Sequence, residues 1–268
     1  MGEPQQNEPK ANDQHDVRER RHAQGDPRSG GQNTPTQDDS RSGKLLLGAV
    51  TIGQAPRTDV TADIAPLLGP NVRVIEAGAL DGVSDVSPLA PQGGESALAS
   101  RLADSTGVIV SEAKVMPLVQ QAIDRVVAQG AFAVVLLCTA TLRNPPTCAV
   151  PLIHPNVILA EAVVRMVRDG ACGDSIAVMV PDESQIGDIG SQWEQLLGSR
   201  PALFAASPYG PAEPRVAAAE AIGRTDAGAI VLDCIGYSAA MARDIERASG
   251  KTVVLPRAIV AEAAKELL

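Results

Sequence analysis

The chain has 268 residues, a formal net charge of −9 and a sequence pI near 4.9. An acidic chain offers no basic surface to nucleic acid, and no uninterrupted apolar run reaches the ~20 residues that a membrane helix needs. We therefore expect a soluble protein with neither nucleic acid nor a membrane as a partner.

Residues 1–43 differ in composition from the rest of the chain. They are rich in Gln, Asn, Asp, Arg, Gly and Pro, and their aliphatic residues are limited to Met1, Ala11, Val17 and Ala23. Such a segment buries too little apolar surface to offset the entropy lost on ordering. We predict a disordered tail over residues 1–43. Its acidic residues and its lack of an apolar run argue against an export signal.

From Lys44 onward, segments typical of strands and of helices alternate, which predicts an α/β fold with parallel sheets. The predicted elements of the first half are a strand at 45–51, a helix from 58, a strand at 72–76, a functional or lid loop at 78–94, a helix at 95–103, a strand at 108–110, a helix at 114–129 and a strand that leads into Cys138. We assign residues 44–155 to this first lobe.

The second half repeats the alternation after a hinge-like segment at 151–156. Its predicted elements are helix 158–169, strand 175–180, helix 183–197, strand 202–205, helix 212–224, a strand that leads into Cys234, helix 238–249, strand 252–255 and helix 257–267. The repeated order predicts two similar three-layer α/β/α lobes. The second lobe spans residues 156–256, and the final segment, residues 257–268, is expected to pack back on the first lobe.

Each lobe places a cysteine where a buried strand ends. An apolar run at 133–137 stops at Cys138, and residues 228–233 lead into Cys234. Because open α/β sheets bind ligands at the carboxyl ends of their strands, we predict that these two thiols face each other across a cleft and are the catalytic groups. Cys148 and Cys172 have no motif around them and are interpreted as structural.

The cysteine and histidine content bears on location and on metals. Four cysteines without a secretion signal indicate free thiols in a reducing cytoplasm. The chain has no Cys-x-x-Cys pair, and His154 is the only histidine after residue 43. His154 is flanked by prolines and is interpreted as part of the hinge. We therefore expect no metal site.

Several residues beside the strand ends are suited to binding a carboxylate. Backbone N–H groups and the positive end of a following helix are expected to favour the thiolate and to hold a substrate carboxylate. Arg57 can add a bidentate contact, and hydroxyl groups can add further donors. The predicted substrate-binding residues are Thr51, Gly53, Arg57, Thr139, Ala140, Thr141, Gly236, Tyr237 and Ser238.

Structural roles are open for some of these residues. Arg57 can equally be a solvated residue at a helix start, and Tyr237 can equally be a buried tyrosine whose hydroxyl reaches the surface. Asp233 either orients a donor in the pocket or caps the following helix, and we favour the cap.

Three motifs together resemble the AroM family. They are Thr51-Ile52-Gly53-Gln54-Ala55-Pro56-Arg57, Leu137-Cys138-Thr139-Ala140 and Leu232-Asp233-Cys234-Ile235-Gly236-Tyr237, within a likeness that extends from about Leu45 to Leu268. The resemblance implies an aspartate/glutamate racemase-like fold with two strand-end cysteines and no cofactor. Amino-acid racemases of this kind typically carry Cys-Asn-Thr and Cys-Thr-His at the two sites. In this chain the histidine beside the second thiol is missing.

These features favour a cofactor-independent racemase or isomerase of a small carboxylate, in which one thiolate removes a Cα proton and a thiol on the opposite face returns one. The alternative is a noncatalytic protein that binds a small molecule on the same fold. Hydrolysis through Cys234 is less favoured, because no Cys-His-Asn arrangement is available. The expected partners are the small carboxylate and, for assembly, a second copy of the chain in a homodimer.

Overall fold

A computed structural model describes residues 43–173 and 175–268 of the chain. The predicted disordered tail, residues 1–43, lies outside these residues except for Gly43. Within them, the chain forms two four-stranded parallel sheets and one two-stranded antiparallel hairpin. None of the helices in the described ranges is long and apolar enough to cross a bilayer.

The first sheet is built by the first half of the chain. The elements are β1 (Leu45–Thr51), α1 (Thr58–Leu68), β2 (Val72–Gly78), β3 (Ala97–Arg101), β4 (Gly107–Ser111), α2 (Glu112–Ala128), β5 (Ala131–Leu136) and β6 (Leu152–Ile153). The strand order is β2-β1-β5-β6, and β3 pairs with β4 in the separate hairpin.

The second sheet is built by the second half. The elements are α3 (Pro155–Arg168), β7 (Ile176–Val180), α4 (Ile186–Leu197), β8 (Ala202–Ala205), α5 (Ala212–Gly223), β9 (Ala229–Leu232), α6 (Ala239–Ser249), β10 (Thr252–Val254) and α7 (Pro256–Lys265). The strand order is β10-β9-β7-β8.

The two sheets have the same connectivity. Numbered within its own lobe, each sheet has the order second, first, third, fourth. In such a sheet, the chain leaves in opposite directions from the first and third strands, which are neighbours. The crevice outside the carboxyl ends of these two strands is the usual ligand position in open α/β sheets. These ends belong to β1 and β5 in the first lobe and to β7 and β9 in the second.

Helices cover both faces of each sheet, because successive strand side chains point to opposite faces. In the first lobe, Val134 packs with α2, while Val135 packs with α1 and α7. In the second lobe, Ile230 packs with α5 and α6, while Val231 packs with α3 and α4. All four valine and isoleucine side chains are 0 % exposed. The prediction of three-layer α/β/α lobes with parallel sheets is confirmed.

The C-terminal helix α7 packs on the first lobe rather than only on the second. Val260, Ala261 and Ala264 are buried in the same cluster as Leu47 of β1 and Val60 of α1. The chain therefore returns to its first sheet after completing the second. The division of the chain at residue 156 stays a prediction.

The predicted helix at 95–103 is wrong, since this segment contains strand β3. Its pairing with β4 is antiparallel, from Ala97 opposite Ser111 to Arg101 opposite Gly107. Burial alternates along the strand: Leu98 and Ser100 are buried, while Ala97, Ala99 and Arg101 are more exposed. The alanines made the segment look helical, but a hairpin partner supplied by residues 107–111 decided the outcome.

The segments predicted as a lid loop and as a hinge are both tied to the first sheet. Within 78–94, the side-chain amide of Gln54 donates to the carbonyls of Leu80 (3.1 Å) and Val83 (3.2 Å). Within 151–156, Leu152 and Ile153 pair with β5 as strand β6. A lid function for residues 78–94 stays a prediction.

Candidate functional site

Cys138 and Cys234 occupy equivalent positions in the two lobes. Each follows the third strand of its sheet by one intervening residue, after β5 and β9 respectively. The intervening residues make matching bonds, because Leu137 donates its N–H to Val50 (2.7 Å) and Asp233 donates its N–H to Met179 (2.9 Å). Both cysteines therefore lie at the carboxyl end of a third strand, beside the crevice between the first and third strands.

Each thiol also has a backbone donor two residues later. Gly236 donates its N–H to Cys234 Sγ at 3.4 Å, and the Ala140 N–H hydrogen-bonds Cys138. We use the term cysteine region for Cys138, Ala140, Cys234 and Gly236 with the side chains that contact them. Both thiols are free and half-buried.

Burial and nearby negative charge act on the pKa values of the two thiols. Burial raises the pKa of the Cys138 thiol to about 12, and negative charge on Cys234 and Asp233 acts in the same direction. Burial also raises the pKa of Cys234, against the lowering effect of the Gly236 N–H. Burial thus acts against the expected preference for the thiolate at both positions. Residues 138–151 contain no helix, so no helix dipole aids Cys138.

The loop after Cys138 is held by helix α2. Glu112 is 2 % exposed, and its Oε1 accepts the N–H groups of Arg143 (2.6 Å) and Asn144 (3.4 Å). Further along, Gln120 exchanges hydrogen bonds with the Thr147 backbone, donating to its carbonyl at 2.9 Å and accepting its N–H at 2.9 Å. These contacts hold a segment that forms neither a helix nor a strand.

Asp233 links the lobes beside both thiols. Its carboxylate accepts Trp193 Nε1 at 2.8 Å and hydrogen-bonds the Thr139 side chain of the other lobe. Burial raises the pKa of Asp233 to about 6. The interpretation of Asp233 as a helix cap is wrong, because Ser238 is the N-cap of α6 and accepts the Met241 N–H at 3.2 Å.

Arg57 lies in the site but does not present a free fork to a ligand. Its Nε and Nη2 donate to the two oxygens of Asp59 at 2.8 and 2.9 Å, and Nη1 donates to Thr51 Oγ1 at 3.3 Å. The residue is 2 % exposed, so it is also not a solvated helix-start residue. The predicted bidentate contact with a substrate carboxylate is therefore taken by an internal carboxylate.

Thr51 and Gly53 shape the first loop from within. Thr51 is 1 % exposed, and its hydroxyl also accepts the Gly53 N–H at 3.3 Å. A Cβ on Gly53 would lie 2.0 Å from the Arg101 carbonyl oxygen, so the hairpin backbone touches this glycine. Both residues support the loop, and neither is positioned as the ligand contact that was predicted.

The remaining predicted residues divide between the core and the boundary of the lobes. Tyr237 is 0 % exposed and donates its hydroxyl to the Ala206 carbonyl at 2.6 Å, so it belongs to the core of the second lobe rather than to a ligand-binding set. Ser238 is committed to capping α6. Thr141 is exposed and donates to Gln192 Oε1 of the other lobe at 3.0 Å.

Two residues at this place were not predicted. Tyr209 lies in the loop after β8, and its hydroxyl accepts Arg57 Nη2 at 3.5 Å and hydrogen-bonds Cys234. Arg257, at the start of α7, donates to the carbonyls of Ile235 (2.7 Å) and Gly236 (2.8 Å). The position of Tyr209 after a strand is a signal in the sequence, because open α/β sheets bind ligands beyond the carboxyl ends of their strands.

Arg257 also reaches the first lobe. Its Nη1 donates to the Asp59 carbonyl at 2.6 Å and to Asp63 Oδ2 at 2.8 Å, and Asp63 Oδ2 in turn accepts the Ala239 N–H at 2.8 Å. The arginine thus joins helix α1 to the Cys234 loop. No sequence pattern marks it, because its partners are mostly backbone carbonyls.

Other candidate sites carry less chemistry. A surface cavity lined by Ser175, Arg200, Thr225 and Asp226 lies at the amino ends of β7 and β8, opposite the carboxyl ends that bear the cysteines. His154 precedes α3, and burial lowers its pKa. Among residues 43–173 and 175–268, no group of three His, Cys, Asp or Glu side chains is arranged to hold a metal ion.

Comparison with solved structures shows the fold. The chain is similar to allantoin racemase from Klebsiella pneumoniae, with 15 % identity, a TM-score of 0.53 and coverage of 84 % of this chain and 87 % of that one. It is similar to a glutamate racemase isoform from Bacillus anthracis (14 %, 0.53, 84 % and 82 %). It is also similar to an aspartate racemase from Picrophilus torridus (12 %, 0.51, 84 % and 94 %).

Sequence comparison identifies the family. A search of curated proteins finds no match. The profile of the family described as AroM protein matches residues 47–268, which is most of the chain. The chain therefore belongs to the AroM family, and its fold is that of the aspartate/glutamate racemases.

Proposed function

We propose that this protein is a racemase or isomerase that inverts the Cα of a small carboxylate, with Cys138 and Cys234 as its acid and base and with no cofactor. The observation that carries the proposal is the equivalence of the two thiols. Both follow the third strand of a lobe, both accept an N–H from the residue two positions later, and negative charge on Cys234 raises the pKa of Cys138.

The chemistry needs one thiolate and one thiol. The thiolate removes the Cα proton, so a C–H bond breaks, an S–H bond forms and the electron pair stays on the substrate as an enolate. The opposing thiol then donates its proton to the other face, so its S–H bond breaks and a C–H bond forms. The product has the inverted configuration, and the two sulfurs have exchanged roles.

The substrate carboxylate needs donors other than Arg57, whose fork is occupied by Asp59. Backbone N–H groups beside the two cysteines are the donors we assign to it, since the Thr139 hydroxyl is engaged by Asp233. Ala140 adds little bulk beside Cys138, and Tyr209 fills the space beside Gly236, so little room is left near the thiols. This supports a small substrate.

One observation favours a second candidate, a noncatalytic protein that binds a small molecule. Burial raises the pKa of both thiols, and no imidazole neighbours Cys234 in the sequence. A protein with two protonated thiols would keep the ligand position and lack the base.

Hydrogen exchange separates the two candidates. Small 2-amino, 2-hydroxy and aromatic carboxylates are incubated with the protein in heavy water and followed by proton NMR. A racemase replaces the Cα proton of its substrate with deuterium even when net turnover is slow, and the rate rises with pH because the thiolate fraction rises.

The double variant Cys138→Ser/Cys234→Ser is the negative control, and Cys148→Ser is the matched control for loss of a thiol elsewhere. Exchange in the wild type and in Cys148→Ser but not in the double variant supports the proposal. A compound that raises the melting temperature without losing its Cα proton supports the binding protein instead.

A further inference from the structure

Tyr209 approaches the Cys234 loop from a separate part of the second lobe. The ring lies 6.0 Å from the Arg57 guanidinium and 5.6 Å from that of Arg101, measured from Cζ to the ring centroid. A Cβ built on Gly236 would lie 2.5 Å from the Tyr209 hydroxyl oxygen. A side chain at residue 236 would therefore push the hydroxyl away, and the glycine permits the approach.

The hydrogen bonds around the Tyr209 hydroxyl have a fixed direction. An arginine has donors and no acceptor, so Arg57 Nη2 must donate to the hydroxyl oxygen at 3.5 Å. The hydroxyl proton is left for another partner, and the hydroxyl lies against Gly236, whose N–H donates to Cys234 Sγ at 3.4 Å. Asp59 holds Arg57 from behind through two hydrogen bonds of 2.8 and 2.9 Å. The chain of donors thus runs from the first lobe to the second-lobe thiol.

We propose that Tyr209 donates a hydrogen bond to the Cys234 thiolate and thereby makes Cys234, rather than Cys138, the thiol that is ionised first. The hydroxyl takes the part of the histidine that is missing beside this cysteine. The catalytic meaning of this inference rests on the proposed function, because the thiolate so stabilised would be the base in the first half-reaction.

Protonation of the tyrosine supports this direction. Burial raises the pKa of Tyr209, and charge on Cys234 acts in the same sense, so the hydroxyl keeps its proton where the thiol titrates. The Tyr209 hydrogen bond lowers the pKa of Cys234, although burial outweighs it. A hydrogen bond to an ionised group is roughly twice as strong as one between neutral groups, so most of its effect falls on the thiolate.

The test measures thiol ionisation without any substrate. The full chain is alkylated briefly with iodoacetamide from pH 6 to pH 11, and the Cys138 and Cys234 peptides are quantified by mass spectrometry. In Tyr209→Phe we expect the Cys234 profile to move to higher pH, with a rate at pH 8 about tenfold lower. The Cys138 profile should not move to higher pH.

Tyr237→Phe is the matched control, since it removes the hydroxyl of the other tyrosine, which bonds the Ala206 carbonyl. It should leave the Cys234 profile in place. Gly236→Ala, which displaces the Tyr209 hydroxyl, should move the profile in the same direction as Tyr209→Phe. An unchanged Cys234 profile in both Tyr209→Phe and Gly236→Ala would overturn the inference, and so would an equal shift in Tyr237→Phe. Because no substrate is used, this result is independent of whether Cα exchange is found.

Discussion

Burial affects the pKa values of residues in the cysteine region more than neighbouring charges do. Asp233 is the clearest case, because its carboxylate lies between Trp193 and Thr139 and near both thiols. Burial raises its pKa from the ordinary 3.8 to about 6. The folded protein therefore binds this proton more tightly than the unfolded chain does.

This shift predicts a pH dependence of stability. The contribution of Asp233 to stability is fully present below about pH 4, falls as the pH rises to about 6, and is then constant, with a total loss of roughly 3 kcal/mol. Asp233→Asn keeps an oxygen acceptor for Trp193 and removes the titration. The melting temperature of the variant minus that of the wild type should rise between pH 4 and pH 6.

Asp85→Asn is the control for this prediction. The pKa of Asp85 is lowered because its carboxylate accepts the Ser87 N–H. The melting-temperature difference for Asp85→Asn should therefore change at pH values below the ordinary carboxyl pKa, and with the opposite sign. A difference for Asp233→Asn that stays flat from pH 4 to pH 7 would contradict the raised pKa.

Residue identities could be predicted from sequence where position along a strand fixes them. Cys138 and Cys234 could be predicted because a buried apolar run that stops at a cysteine marks the end of a strand in each lobe. The roles of Arg57 and Asp233 could not be assigned from the sequence. Asp59 accepts the hydrogen bonds that Arg57 was expected to give a ligand, and Trp193 donates to the Asp233 carboxylate. Trp193 reaches Asp233 through packing between elements, which periodicity does not contain, whereas Asp59 lies only two residues after Arg57 and competes locally.

At the scale of elements, helix α7 connects the lobes through Arg257. This side chain is 1 % exposed and donates to three backbone carbonyls and to Asp63. Its loss would leave buried acceptors without donors and a carboxylate without its cation. The loop that holds Cys234 would lose its support at the same time.

We predict that Arg257→Met lowers stability by about 3 kcal/mol. For a protein of this size, that corresponds to a fall in melting temperature of roughly 6–12 °C. Arg247→Met is the control, because Arg247 is exposed on α6 and pairs with Asp244 on the surface; its effect should stay within about 0.5 kcal/mol. Equal melting temperatures for the two variants would show that Arg257 does not connect the lobes.

The elements that sequence analysis missed share one cause. Strand β3 forms by pairing with β4, which begins at Gly107 shortly after β3 ends, and the short strand β6 pairs with β5 over only two residues. Helices such as α2 were readable, since Val115, Val119 and Val126 form a buried face with helical spacing. Segments whose structure depends on a neighbour carry a weaker local signal.

The whole molecule is two copies of one connectivity with a cysteine at the same place in each. This arrangement was predictable, because the alternation of strands and helices repeats along the chain. One asymmetry, the return of the C-terminal helix to the first lobe, was expected from the sequence. Two others were not: the hairpin occurs in the first lobe, and Tyr209 lies beside Cys234. The account therefore predicts two thiols of equivalent position and unequal acidity.

The most direct test of the central claim uses single-thiol variants with separate enantiomers of an exchanging carboxylate. With one thiol left, a proton can be removed and returned only on the face that this sulfur occupies. Cys138→Ser and Cys234→Ser should each exchange the Cα proton of one enantiomer in heavy water without inversion, and the two variants should select opposite enantiomers. If both variants exchange the same enantiomer, or if both retain inversion, the two cysteines do not act on opposite faces of a substrate.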